Sequence, residues 1–112
     1  MTPEEANTRL YEKMYAEQER FRERLLGLSP KEILDRAYEY VIREDILVSL
    51  EYNDLTGKQA KALLQSRGPL GDVFRTWEKK ETHPMEDIFN AVESRANAVI
   101  RSDYLKARSE AR

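Results

Sequence analysis

The sequence contains no cysteine, which excludes disulfide bonds and thiolate metal sites. Its one histidine, His83, lies near Glu81, Glu86 and Asp87, and the start of a helix explains this group better than a metal site does. No phosphate-binding glycine loop, HExxH or GxSxG motif occurs. These absences predict that the protein is not an enzyme and binds no cofactor and no metal.

Long apolar runs and a strong charge of one sign are also missing. No stretch reaches the ~18 apolar residues of a membrane span, and the opening "MTPEEANTRL" lacks the apolar region of a secretion signal. A formal net charge of −2 gives no general attraction to nucleic acid or to anionic lipid. We therefore expect a cytoplasmic protein that does not bind a membrane.

The sequence does contain the start and stop signals of helices. With 40% hydrophobic and 36% charged residues, it suits helices that bury one face and expose a charged one. Capping residues precede a helix-starting proline or glycine at Thr2, Ser29 and Thr56. We predict an all-α fold, a single compact domain over residues 1–112 with about five helices. The second helix is predicted to be central and the C-terminal helix long, with a core over about 3–104 and a polar tail at 105–112.

The second predicted helix has an apolar face with one acid in it. At 100° per residue, one face carries Leu34, Ala37, Tyr38, Val41, Val48 and Tyr52. Asp45 projects from the middle of this face, so we predict that it is buried and paired, with Arg95 of the last helix as the first candidate partner. Ile46 and Leu50 emerge on the otherwise polar side and are candidate partner-binding residues.

Two further surfaces are candidates for recognition. Arg9, Lys13, Arg20 and Arg24 form a basic stripe along the first helix, which an adjacent acidic stripe neutralises in part and which is suited to orienting a charged protein partner. Residues 55–81 are compatible with a small helix-turn-helix-like DNA-binding regulator. Against this alternative, the second of its helices needs Leu70, Val73, Phe74 and Trp77 for the core, so we also predict that Trp77 is largely buried.

One block, "YEKMYAEQERF…LSPKEIL…AYEYVIREDILVSLEYNDLTGKQAKALL", resembles a family of short bacterial and phage proteins, a domain of unknown function found in gut anaerobes and their mobile elements. The resemblance covers roughly residues 11–100 and implies an accessory protein of mobile DNA that binds or inhibits a host protein, such as a defence protein. We therefore expect a non-enzymatic protein-binding module with a protein partner of unknown identity. Monomer and homodimer both stay open.

Overall fold

The computed structural model describes residues 1–80 and 84–111, and this part of the chain is all-α, as predicted. The helices are α1 (Pro3–Leu26), α2 (Pro30–Tyr52), α3 (Gly57–Leu64), α4 (Pro69–Lys79) and α5 (Pro84–Glu110). The predicted capping residues of α5, Thr82 and His83, lie outside the described residues.

Local sequence signals set the helix starts. The hydroxyl oxygens of Thr2, Ser29 and Thr56 accept hydrogen bonds from backbone amides three residues further on, at the first turns of α1, α2 and α3. At α3 the side chain of Gln59 also accepts a bond from the backbone N–H of Thr56, which completes a capping box. These caps satisfy amides that a helix leaves without partners at its N-terminus, so the predicted boundaries follow from local chemistry.

The contacts divide the chain into two units, Met1–Lys80 and Glu81–Arg112, whereas the sequence predicts one domain. The first unit contains α1 to α4 and has its own core, built on Ala6, Leu10, Met14, Leu47, Ala60 and Leu70. In the second unit the structure describes one helix, α5, whose side chains from Met85 onward are all exposed. The two units therefore differ in whether they possess a buried core.

The first unit is organised around α1, not around α2 as the sequence predicts. Helix α1 packs against α2, α3 and α4, whereas the main neighbours of α2 are α1 and α4. The buried side of α1 is continuous along its length and consists of Ala6, Leu10, Met14, Gln18, Phe21 and Leu25. Full burial of a large apolar side chain contributes about 1.5–3 kcal/mol, so this face is a main source of the unit's stability.

Helix α2 is rotated by about half a turn relative to the prediction. Its buried residues are Arg43 and Leu47, and Ile46 and Leu50 pack against the core beside them. Asp45 projects from the opposite side of α2 and is exposed, so it is not buried in the first unit as the sequence predicts. Arg95, its predicted partner, is an exposed residue of α5 and is not a buried polar group. The buried polar side chains of the described residues are Gln18 and Arg43.

The aromatic residue of α4 is also less buried than predicted. Leu70 and Phe74 are buried, but Trp77 remains 38% exposed. Because Trp77 lies one turn further along α4, its ring reaches the edge of the α2–α4 contact, where its Nε1 donates a hydrogen bond to the Tyr38 hydroxyl at 3.1 Å. Trp77 therefore closes an edge of the unit and is not a core residue.

Candidate functional site

The main candidate is the exposed side of α2. We define the α2 apolar face as Leu34, Tyr38, Val41, Val48 and Tyr52, whose exposed fractions range from 45% to 81%. With Asp45, these residues recur at alternating spacings of four and three, the spacing of the apolar seam of a coiled coil. The face is thus an apolar stripe that runs from Leu34 to the end of the 23-residue helix, on a unit whose core lies on the other side of the same helix.

Aromatic side chains fix one edge of this face. The Tyr38 ring meets the Phe74 ring edge-on, with centroids 6.4 Å apart, and its hydroxyl accepts the bond from Trp77. Because Phe74 is a buried residue of α4, its contact holds Tyr38 of α2 against α4, beside Trp77. Tyr and Trp held in defined positions at a surface are the residue types that dominate binding energy at protein interfaces.

An apolar cleft borders the other edge of the face. It encloses about 350 Å³ between α1 and α2 and is lined by Arg22, Leu25, Leu26, Ile33, Ala37, Tyr40 and Val41. Val41 belongs to both the cleft and the α2 apolar face, so the two apolar surfaces are continuous. Burial is the main cause that raises the pKa of the Tyr40 hydroxyl, and nearby Glu44 adds to it, so Tyr40 is neutral at pH 7.

The charges around the α2 apolar face are mainly acidic. Asp45 is exposed within it, Glu44 and Glu51 flank it on the same helix, and Lys31 is the one cation of α2 that lies beside it, near the start of the helix. Glu51 is partly engaged, because its Oε1 accepts a hydrogen bond from the Tyr11 hydroxyl at 2.6 Å. That bond is the main cause that raises the pKa of Tyr11 to about 12. The face therefore combines apolar side chains with an acidic surround.

The opposite side of α2 carries a buried cation that the sequence analysis missed. Arg43 is only 7% exposed, and its Nη2 lies 2.7 Å from Glu39 Oε2 on the same helix. Its Nη1 lies 3.7 Å from Glu17 Oε2 of α1, and its guanidinium carbon stands 4.1 Å from the centroid of the Phe21 ring. The four-residue spacing of Glu39 and Arg43 was visible in the sequence, but the contribution of Glu17 was not, because it comes from another helix.

Glu17 links this ion pair to the start of α4. No side chain at Gly68 caps α4, and the two carboxylate oxygens of Glu17 accept bonds from the amides of Leu70 and Gly71, both at 2.9 Å. A Cβ atom on Gly71 would lie 3.2 Å from Arg43 Nη2, so the glycine allows the close approach of α4. Positive charge at the helix N-terminus stabilises the Glu17 carboxylate in this position.

Of the four residues in the predicted basic stripe, one has a structural role and three are exposed. Lys13 Nζ donates hydrogen bonds to the carbonyl oxygens of Leu64 and Ser66, at 3.0 and 2.6 Å, and so caps the C-terminal end of α3. Arg9, Arg20 and Arg24 remain exposed.

The two apolar residues that the sequence analysis assigned to partner binding lie against the core. Ile46 and Leu50 are half-buried and pack against the core of the first unit, so this assignment is wrong for the surface described here. Conversely, the residues of the α2 apolar face, which the sequence analysis assigned to the core, are exposed.

No cluster of three or more His, Asp or Glu side chains arranged for a metal ion occurs within residues 1–80 and 84–111. None of the helices in this range has both the length and the apolar content that crossing a bilayer requires.

Fold and surface together define a class: an all-α protein with an exposed apolar helix face. Residues 6–100 match the family described as Protein of unknown function (DUF3848), and the chain belongs to this family. No curated protein and no solved structure matches the chain significantly.

Proposed function

We propose that the protein is a non-enzymatic protein-binding module and that the α2 apolar face is its binding surface. The observation that carries this proposal is the set of five large apolar side chains exposed on one face of a helix whose opposite face is already packed. Contiguous exposed apolar surface on a folded unit is typical of an interaction site.

The chemistry of the face indicates the kind of partner. The alternating spacing of four and three suits a helix laid along α2, with its apolar residues between those of the face. Asp45 lies in the middle of the stripe and would be buried by such a helix, which requires a basic residue opposite it. We therefore infer a partner with a basic amphipathic helix, for which the adjoining apolar cleft provides a place for one larger side chain.

The resemblance to short proteins of bacterial mobile elements supports a more specific form of the proposal. In this form the partner is a host protein in the cytoplasm. Binding either inhibits that protein or, with this chain as an adaptor, links it to the mobile element.

The DNA-binding alternative over residues 55–81 receives less support. Helix α3 packs mainly on α1, and α4 packs mainly on α2 and also on α1, instead of α3 and α4 forming a close pair with each other. Arg75, an exposed cation within this range, pairs with Asp72 on the same helix. We therefore keep DNA binding as an outcome of the test and not as a second proposal.

A charge-swap experiment tests the proposal directly. Two labelled helical peptides share a Leu/Val seam of α2-like spacing and differ only at the central position, Lys in one and Glu in the other. Fluorescence anisotropy should show that the full chain binds the Lys peptide more tightly. In Asp45→Lys the preference should reverse, because the lysine of the variant attracts the Glu peptide and repels the Lys peptide.

Two variants provide the controls. Val41→Glu combined with Val48→Glu places charges on the α2 apolar face and should abolish binding. Tyr15→Glu places a charge on an exposed aromatic position of α1 outside the face and should leave binding unchanged. Equal binding of both peptides, or equal loss in Tyr15→Glu, contradicts the proposal.

Affinity capture of binding partners from the host, together with light scattering, shows which molecule occupies the α2 apolar face. A stoichiometric protein that resists nuclease and is lost in the double Val variant supports the module. A homodimer that the same double variant dissociates assigns the face to a second copy and overturns the proposed partner. Retention only through DNA, with a steep salt dependence, favours the regulator instead.

A further inference from the structure

A second cleft lies between the C-terminal half of α1 and the N-terminal half of α2. It encloses about 320 Å³, and we define the arginine cleft by its lining residues: Phe21, Arg24, Leu25, Leu28, Arg36, Glu39 and Arg43. On α2, residues 36, 39 and 43 are about half a turn around the helix from the α2 apolar face. The arginine cleft is therefore separate from the α2 apolar face, and it shares only Leu25 with the apolar cleft beside that face.

The cleft has an excess of positive charge. Three arginines and one glutamate line it, and that glutamate is held by Arg43, with Glu39 Oε2 at 2.9 Å from Arg43 Nε. Arg24 and Arg36 are exposed, and neither forms an ion pair with a carboxylate in the part of the chain that the structure describes. Two guanidinium groups that line one cleft without a carboxylate to neutralise them repel each other and attract an anion.

The third arginine is fixed in position. Arg43 is held against the Phe21 ring by a cation–π contact and by the Glu39 carboxylate. Its Nη1 is buried and makes no hydrogen bond within the described residues, with Glu17 Oε2 at 3.7 Å as the nearby anion. Because Glu39 and Glu17 neutralise Arg43, the excess positive charge of the cleft comes from Arg24 and Arg36, and Arg43 is an ordered part of the wall between them.

The remaining wall is apolar. Phe21 and Leu25 are buried residues whose edges line the cleft, and the half-buried Leu28 continues this surface past the end of α1. Small-molecule sites typically combine such an apolar wall with a few polar groups, in volumes of about 300–1,000 Å³. The arginine cleft lies at the lower end of that range.

We propose that the arginine cleft binds a small organic anion, with its oxyanion group on Arg24 and Arg36 and its apolar body against Phe21, Leu25 and Leu28. Guanidinium groups bind carboxylate and phosphate with the same forked geometry, so both groups satisfy the chemistry of the site. The site contains no residue of the α2 apolar face, and its test does not depend on the protein-binding proposal.

The experiment uses four probes on the full-length, isotope-labelled chain. Phenylacetate and phenyl phosphate supply the carboxylate and the phosphate on an apolar body, inorganic phosphate lacks the body, and benzyl alcohol lacks the charge. Amide chemical shifts in NMR titrations should move around Phe21, Leu28 and Arg36 with one or both aromatic anions. Inorganic phosphate should bind more weakly and benzyl alcohol should produce no saturable change. The stronger of the two aromatic anions identifies the oxyanion group.

Matched variants assign the binding to the arginines. Arg36→Gln and Arg24→Gln should each weaken the aromatic anion by about tenfold or more, since each removes a charged hydrogen-bond donor. Arg9→Gln, at an exposed arginine of α1 outside the cleft, should have no effect. Affinity should also fall as sodium chloride is raised.

Three results overturn the proposal. They are the absence of saturable shifts with both aromatic anions at millimolar concentration, equal binding of benzyl alcohol, and equal weakening in Arg9→Gln. Dispersed amide spectra of each variant show that it is folded, so a loss of binding in Arg36→Gln is attributable to the cleft.

Discussion

Helices α1 and α5 have similar sequence patterns and different surroundings. Both are long, with 24 and 27 residues, and both carry apolar side chains at spacings of three and four. In α1 that stripe is buried by three other helices, whereas in α5 it is exposed within its unit. The comparison shows that periodicity determines which residues share a face, but does not determine what covers that face.

A similar contrast holds within the first unit between the two sides of α2. The side with more apolar residues is exposed, and the side that contains Arg43 is buried. Burial of that side is possible because Glu39 and Glu17 neutralise the guanidinium and Phe21 lies beneath it. Four predictions, taken in order of expected effect, test whether these differences in burial are energetic differences and whether two local contacts of the first unit contribute to stability.

The largest effect is expected for arginines in the two environments. Arg43→Ala should lower the free energy of unfolding by about 3–5 kcal/mol, because it leaves Glu39 and Glu17 facing each other without a cation. Arg95→Ala, at an exposed position of α5, should change it by less than about 0.5 kcal/mol. Urea unfolding followed by the fluorescence of the single Trp77 measures both, and similar losses in the two variants contradict the comparison.

A matched pair of leucines tests the apolar stripes. Leu10→Ala removes a side chain that is 1% exposed in α1 and should cost about 2–5 kcal/mol. Leu105→Ala removes the same side chain where it is 55% exposed in α5 and should cost less than about 0.5 kcal/mol. If Leu105→Ala destabilises the Trp77-monitored unit as strongly as Leu10→Ala, the exposed stripe contributes to that core and the comparison fails.

A smaller, pH-dependent effect is expected at the contact between Tyr11 and Glu51. The folded state raises the pKa of Tyr11 to about 12, mainly through the hydrogen bond to Glu51, compared with about 10 in the unfolded chain. Stability from this bond should be complete below pH ~10 and should be lost as pH rises toward the folded pKa. The difference in stability between the unmodified chain and Tyr11→Phe should therefore shrink above pH ~10. A constant difference for Tyr11→Phe up to pH 11 would argue against the bond.

The smallest effect is expected at the turn before α4. A hydrogen bond from the Ser66 hydroxyl is the main cause that lowers the pKa of Asp72, with Arg75 adding to it. Because the folded pKa is lowered, stability from this group is present above the unfolded value of about 3.9 and is lost as pH falls through the folded pKa. Ser66→Ala should raise the pKa of Asp72 in a carboxylate NMR titration, and Thr76→Val on the following turn should not. If the Asp72 titration is unchanged in Ser66→Ala, the Ser66 hydroxyl is not the cause of the lowered pKa.

The sequence predicted the helices well and their faces unevenly. The starts of α1, α2 and α3 follow from Thr2, Ser29 and Thr56, because a cap and its amides lie within one turn of each other. The face of α2 was predicted wrongly, because a count of apolar residues does not include the neutralisation of Arg43 by a carboxylate on another helix.

The candidate surfaces were likewise predicted only in part from the sequence. The sequence identified the residues of the α2 apolar face as a set, but assigned them to the core, and it assigned Ile46 and Leu50 to the surface. It noted Arg24 as one member of a stripe along α1, and the cleft that Arg24 shares with Arg36 and Arg43 exists only once α1 and α2 are packed.

By itself, therefore, the sequence determined the helix boundaries, the absence of cysteine chemistry and the grouping of side chains on faces. These depend on interactions within a few residues, such as caps, breakers and the 3.6-residue turn. Only the tertiary structure decided which face of α2 is buried, where Lys13 and Glu17 bond, and which arginines share a cleft. Those outcomes depend on pairs as distant along the chain as Glu17 and Leu70, whose contact no local pattern encodes.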